Sequence, residues 1–140
     1  MLGDIDVNKT VANAKDKLKQ FKRIHRISGS NEYLKLKDGK IELVESCGEF
    51  EQCKIAFDKK KEIVEAINKL SNIDYISMLY IRYIAKERHK FAYYMQKWGY
   101  SNQEFYDMYE RALIEFSEVY RGGELLVFVD NDLLHFLNNF

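Results

Sequence analysis

The chain has no proline, one tryptophan, two cysteines, three histidines and no net charge at pH 7. Without proline, internal repeats or a low-complexity tract, nothing marks a flexible linker, and 140 residues make about one ordinary domain with an N-terminal arm. Cys47 and Cys53 are too few for a disulfide scaffold. His25, His89 and His135 show no ligand spacing that would turn those thiols into a zinc site, so two reduced thiols and no metal are expected. No run approaches the ~18 apolar residues of a membrane span. The opening Met-Leu-Gly-Asp-Ile-Asp lacks the basic-then-apolar order of a signal peptide. A cytoplasmic protein with no membrane partner is expected. Equally missing are a glycine-rich phosphate loop, a His-Glu-x-x-His motif and a nucleophile spaced from a base. The expectation is therefore no catalytic residue, no cofactor and no enzyme. Asp130-Asn131-Asp132 starts like a calcium loop, but the central glycine is missing and the required glutamate would fall one position beyond Phe140.

What is present suits a packed core: 46% hydrophobic and 14% aromatic residues need no staples at this length. Charge is balanced, 22 basic against 22 acidic, but unevenly placed. From Lys9 to Lys40, ten Lys/Arg face only Asp16, Glu32 and Asp38. From Ser101 to Phe140, only Arg111 and Arg121 oppose eight carboxylates. The basic half is able to lie along a polyanion, and the acidic end would be repelled by one.

Val7, Val11, Ala14, Leu18 and Phe21, extended by Ile24 and Ile27, step at helical spacing with lysines and arginines outside. One amphipathic helix is expected, capped by Asp6 or Asn8 and ended at Gly29. The stripe also reads as two coiled-coil heptads, fewer than a sustained coiled coil shows. Asp38-Gly39 between Tyr33–Lys37 and Lys40–Val44 predicts a two-residue hairpin pairing Leu36 with Ile41 and Leu34 with Leu43. Lys35 is expected opposite Glu42. Ser46–Asp58 reads as a connector with a possible short helix, followed by a helix over Lys59–Leu70. Asp74 is expected to cap the next helix, carrying Tyr75, Met78, Leu79, Tyr83 and Ile84. After Gly122-Gly123, Glu124–Val129 reads as an apolar strand, expected to pair with a second copy or with the hairpin. Leu133, Leu134, Phe136 and Leu137 predict a terminal helix.

Between Phe91 and Tyr120 the pattern becomes specific. A short apolar helix to Trp98, then Gly99-Tyr100-Ser101, then a long helix with Ser101 as N-cap and Glu104 completing the capping box, is the layout of a helix-turn-helix. The second helix would lie in a major groove with Asn102, Gln103, Tyr106 and Asp107 outward. Asn and Gln each offer adenine a donor–acceptor pair, and Tyr106 reaches a phosphate or a thymine methyl. Arg82, Lys86, Arg88, His89, Lys90 and Lys97 are placed to hold phosphates. Glu104, Asp107 and Glu110 make this helix acidic, and a plain helix hairpin fits the same pattern.

Trp98-Gly-Tyr-Ser-Asn-Gln-Glu-Phe-Tyr106, Arg111-Ala-Leu-Ile-Glu-Phe-Ser-Glu-Val-Tyr120 and Arg121-Gly-Gly-Glu-Leu-Leu-Val-Phe128 resemble the C-terminal half of the ArpU/RinA-type phage late transcriptional regulators. Asp6–Lys15 and the basic stretch Lys17–Arg26 resemble the family's opening. That resemblance implies a helix-turn-helix similar to the promoter-reading fourth region of sigma factors, and activation of late genes of phages and mobile elements. Ser101, Asn102, Gln103, Tyr106 and Arg111 then stand at the DNA-reading positions. Family members are more basic where this chain has Asp107 and Glu110, and they end near Phe128.

The expected fold is thus mainly α: a helical bundle with a C-terminal helix-turn-helix, one small β-hairpin and a short C-terminal strand. It divides into a basic helix and hairpin arm (1–58) and a DNA-binding domain with its extension (59–140). The expected function is sequence-specific transcription regulation, with double-stranded DNA, RNA polymerase and a second copy of the chain as partners. The alternatives are a terminase-associated DNA-packaging protein and a protein-binding module that never touches DNA.

Overall fold

Asp6 begins the first helix by accepting the Lys9 N–H at 3.1 Å, leaving Val7–Lys19 (α1) to follow. In the computed structural model, which describes residues 4–29, 32–44, 47–87 and 89–129, the fold is mainly helical with one small hairpin. The expected single N-terminal helix is two: α1 gives way at Gln20 to Phe21–Ile27 (α2). Thr10, Ala14, Leu18, Phe21 and Ile24 are all buried along the shared stripe. The break lets α1 pack on the helix of residues 102–119 while α2 packs on the helix of residues 51–68, two surfaces that one straight rod would not follow.

The hairpin forms as its turn chemistry requires. Asp38 and Gly39 take φ of 52° and 77°, and strands Leu36–Lys37 (β1) and Lys40–Ile41 (β2) pair Leu36 with Ile41. The Glu42 N–H donates to the Lys35 carbonyl at 2.8 Å, but the charged contact is the diagonal one, Lys37 to Glu42 at 3.8 Å, instead of Lys35 to Glu42. Two strands alone are marginal. Here Asn68 holds the hairpin to the body, accepting the Ile41 N–H at 2.8 Å and donating to the Ile41 carbonyl at 3.0 Å.

Helix Glu51–Asn68 (α3) begins well before the expected Lys59. Its first turns are charged and largely exposed, with Ala56 the first buried side chain, so the apolar period shows only further on. Asn72, not Asp74, caps Ile73–Leu79 (α4), accepting the Asp74 N–H at 2.8 Å. The chain then widens into a π-helical turn, Tyr80–Ile84, closed by the Ala85 N–H on the Tyr80 carbonyl at 2.8 Å. Phe91–Trp98 (α5) and Asn102–Val119 (α6) follow, and a 3₁₀ turn covers Tyr120–Gly122.

Phe105, Ala112, Leu113 and Phe116 of α6 are fully buried, and α1, α3, α4 and α5 all pack on this helix. One hydrophobic cluster draws on every helix from α1 to α6. Residue 58 lies inside α3, and the cluster takes side chains from both sides of it.

The segment after Gly123 finds its partner within the chain, not on the hairpin. Ile5 and Phe128 form an antiparallel bridge, the Val129 N–H donates to the Asp4 carbonyl at 2.8 Å, and the Asp6 N–H donates to the Val127 carbonyl at 2.6 Å. This covers the edge that suggested pairing with a second copy. It is a bridge rather than a full strand. The terminal helix expected over Leu133–Leu137, and Asp130-Asn131-Asp132, lie outside the described residues. No helix among the described residues is long and apolar enough to cross a membrane.

Candidate nucleic-acid interface

Gly99 supplies the left-handed residue that reverses the chain after α5, at φ 76° and ψ 27°. A Cβ there would meet nothing within 4 Å, so it is the backbone angle and not crowding that calls for glycine. Ser101 then caps α6, its hydroxyl accepting the Glu104 N–H at 3.2 Å. The pair is locked by rings. Phe91 of α5 packs 4.9 Å from Phe105 and 5.0 Å from Tyr109, both on α6. Trp98 lies 6.1 Å from Phe105.

The start of α6 is left in solvent. Asn102, Gln103, Tyr106 and Arg111 are all exposed, as are Glu104, Asp107 and Glu110. Gln103 is not free. Its amide nitrogen donates to Asp107 at 2.8 Å, so reading a base with that group means releasing the carboxylate. Ser101 is committed to capping.

Tyr106 has a second setting. Its ring stands edge-on to Phe91 at 5.7 Å and forms a wall of an open cleft of about 350 Å³. Lys90, the residue before α5, lines the same cleft, with Arg82 of the π-turn and Lys15 and Lys19 of α1. On the cleft lining, the Tyr83 and Tyr109 hydroxyls share a 2.5 Å hydrogen bond. Burial first, and this bond next, push the Tyr83 phenol far above its ordinary ionisation range, so it stays neutral. Arg82 lies over Phe91 at 5.1 Å and Lys15 over Tyr109 at 5.6 Å, each held by a ring of the cleft.

Of the residues singled out from sequence, Tyr106, Lys90 and Arg82 meet here. Lys97 lies over Tyr93 at 5.7 Å and Arg111 sits further along α6; neither lines the cleft. Arg88 lies outside the described residues. Sequence reading missed the part played by Lys15 and Lys19. The signal was the basic run from Lys9 onward, but nothing in it tells which lysines arrive beside Lys90. No group of His, Cys, Asp or Glu among the described residues is arranged to hold a metal.

These features define a mainly helical protein that offers an exposed helix start beside a cationic cleft. The chain belongs to the family described as a protein of unknown function, DUF1492, whose model matches residues 23–117. That span runs from α2 into α6 and takes in the hairpin, the π-turn and the α5–α6 pair. No curated protein and no solved structure matches the chain.

Proposed function

We propose that the protein is a sequence-specific DNA-binding transcription regulator in which α5, the turn at Gly99 and α6 act as a helix-turn-helix. Asn102, Tyr106 and Gln103 meet base edges, and Lys90 and Arg82 hold the phosphates beside them. The observation that carries this reading is Tyr106, which belongs both to the exposed start of α6 and to the cationic cleft. A duplex entering over the first turns of α6 would bring its backbone to that cleft. The resemblance to ArpU/RinA-type regulators supports a role in activating late genes of phages or mobile elements. RNA polymerase would then meet the acidic C-terminal face.

The test is an electrophoretic shift with intergenic fragments flanking the gene, at low and moderate salt. Wild type is expected to retard a specific fragment. Asn102→Ala/Gln103→Ala should abolish the preference, and Lys90→Ala should weaken binding across all sequences.

A second reading rests on Glu104, Asp107 and Glu110, exposed on the same helix, and on the Gln103–Asp107 hydrogen bond. It makes α6 a docking face for a basic protein. Absence of any shift at low salt would favour it and discard the first.

A further inference from the structure

Lys15 and Lys19, one helical turn apart, reach the cleft of Arg82, Lys90 and Tyr106 because α1 packs directly on α6. No Asp or Glu lines that cleft among the described residues. None of its four cations forms an ion pair with a described carboxylate, whereas Arg121 elsewhere is paired with both Glu62 and Glu124. Four like charges gathered without a counter-charge repel one another. The cleft is open to solvent and not an enclosed cavity, which leaves room for an extended anion.

We propose that α1 is a backbone clamp: the phosphates of one duplex strand run between Lys15 and Lys19 on one side and Arg82 and Lys90 on the other. This rests on the DNA-binding reading above and adds to it a second helix, outside the family's matched span, that grips the same duplex. The clamp is independent of base sequence. Its rings set the cations in place before binding, with the Lys15 ammonium over Tyr109 and the Arg82 guanidinium over Phe91.

The experiment is fluorescence anisotropy of a labelled duplex of arbitrary sequence, titrated at several potassium chloride concentrations. Each phosphate contact contributes about 0.9 to the slope of log affinity against log salt. Lys15→Gln/Lys19→Gln should lower the slope by about two and weaken binding on the order of tenfold. The charge-keeping Lys15→Arg/Lys19→Arg should restore the wild-type slope, which a merely structural role would not ensure. Lys54→Gln/Lys61→Gln on α3, outside the cleft, should leave the slope unchanged. An α1 variant with the wild-type slope, alongside a Lys90→Ala variant whose slope falls, would overturn the clamp and leave the DNA reading standing. No duplex binding by wild type at low salt would overturn the DNA reading itself, and the clamp with it.

Discussion

Glu62 on α3 grips Arg121 with both carboxylate oxygens, Arg121 Nε donating at 2.7 Å and Nη2 at 3.2 Å. Arg121 holds φ 47° and ψ 46°, the left-handed region where a side chain is strained. The pair fixes the end of α6 to α3 and maintains that backbone, which gives the arginine of the Arg121-Gly-Gly segment a structural role.

Replacing Arg121 with alanine removes the ion pair and keeps the strain, while glycine removes both. Arg121→Ala is therefore expected to lower the melting midpoint by a few degrees and Arg121→Gly by less. The Arg121 hydrogen bonds hold the Glu62 carboxyl below its ordinary value of 4.5. Its contribution is thus present above 4.5 and lost as pH falls through the lower folded value. Glu62→Gln should flatten that acid limb in a pH series of thermal melts.

Lys60 presents the opposite sign. It is 1% exposed, donates to the Ser28 hydroxyl at 3.0 Å, lies 3.4 Å from His25 Nδ1, and has no carboxylate partner among the described residues. Burial lowers the affinity of its amine for a proton. Burial first, then the Lys60 charge, does the same to His25, against the opposing bond to the Glu32 carbonyl. The unfolded chain therefore binds more protons. Stability rises with pH from each lowered folded value up to the ordinary 6.5 of His25 and 10.5 of Lys60. Urea unfolding should show this rise as pH climbs toward 6.5 and again toward 10.5. Lys60→Met should flatten it and stabilise the protein at neutral pH by about 1 kcal/mol. A steeper rise in the variant would refute the assignment.

Gly99 and Gly123 both have positive φ, but only Gly123 is crowded, with Leu126 Cδ1 3.1 Å from where a Cβ would stand. Gly99→Ala is expected to cost about 1 kcal/mol, the backbone penalty alone. Gly99→Asn should cost less, since asparagine visits this region more readily. Chemical denaturation of both variants checks the order.

Thr10 is fully buried, and its hydroxyl accepts the Val127 N–H at 3.0 Å and faces the Val127 carbonyl at 3.4 Å. Thr10→Val keeps the shape and strands the Val127 N–H, while the Val127 carbonyl keeps its bond from the Asp6 N–H. A loss of about 1–2 kcal/mol is expected, with faster amide exchange at Val127. Unchanged exchange there would mean that the Ile5–Phe128 bridge holds without the threonine.

The local rules carried furthest where a residue's own chemistry decides the outcome. Asp38-Gly39 dictated the hairpin and its register because positive φ at both positions leaves few turns open. Gly99 and Ser101 set the end of α5 and the start of α6 for the same kind of reason. The start of α3 was hidden because Glu51–Asp58 buries little. The break at Gln20 was hidden because a stripe at helical spacing runs unchanged through both helices.

Sequence alone therefore determined the helical class, the hairpin and the turn before α6, since spacing, caps and glycine angles act within a few residues. Only the tertiary structure decided that the apolar edge at Phe128 is covered by Ile5, and that Lys15 and Lys19 come to face Lys90. Such contacts join positions far apart in the chain. They follow from how helix faces pack around α6, which no local period encodes.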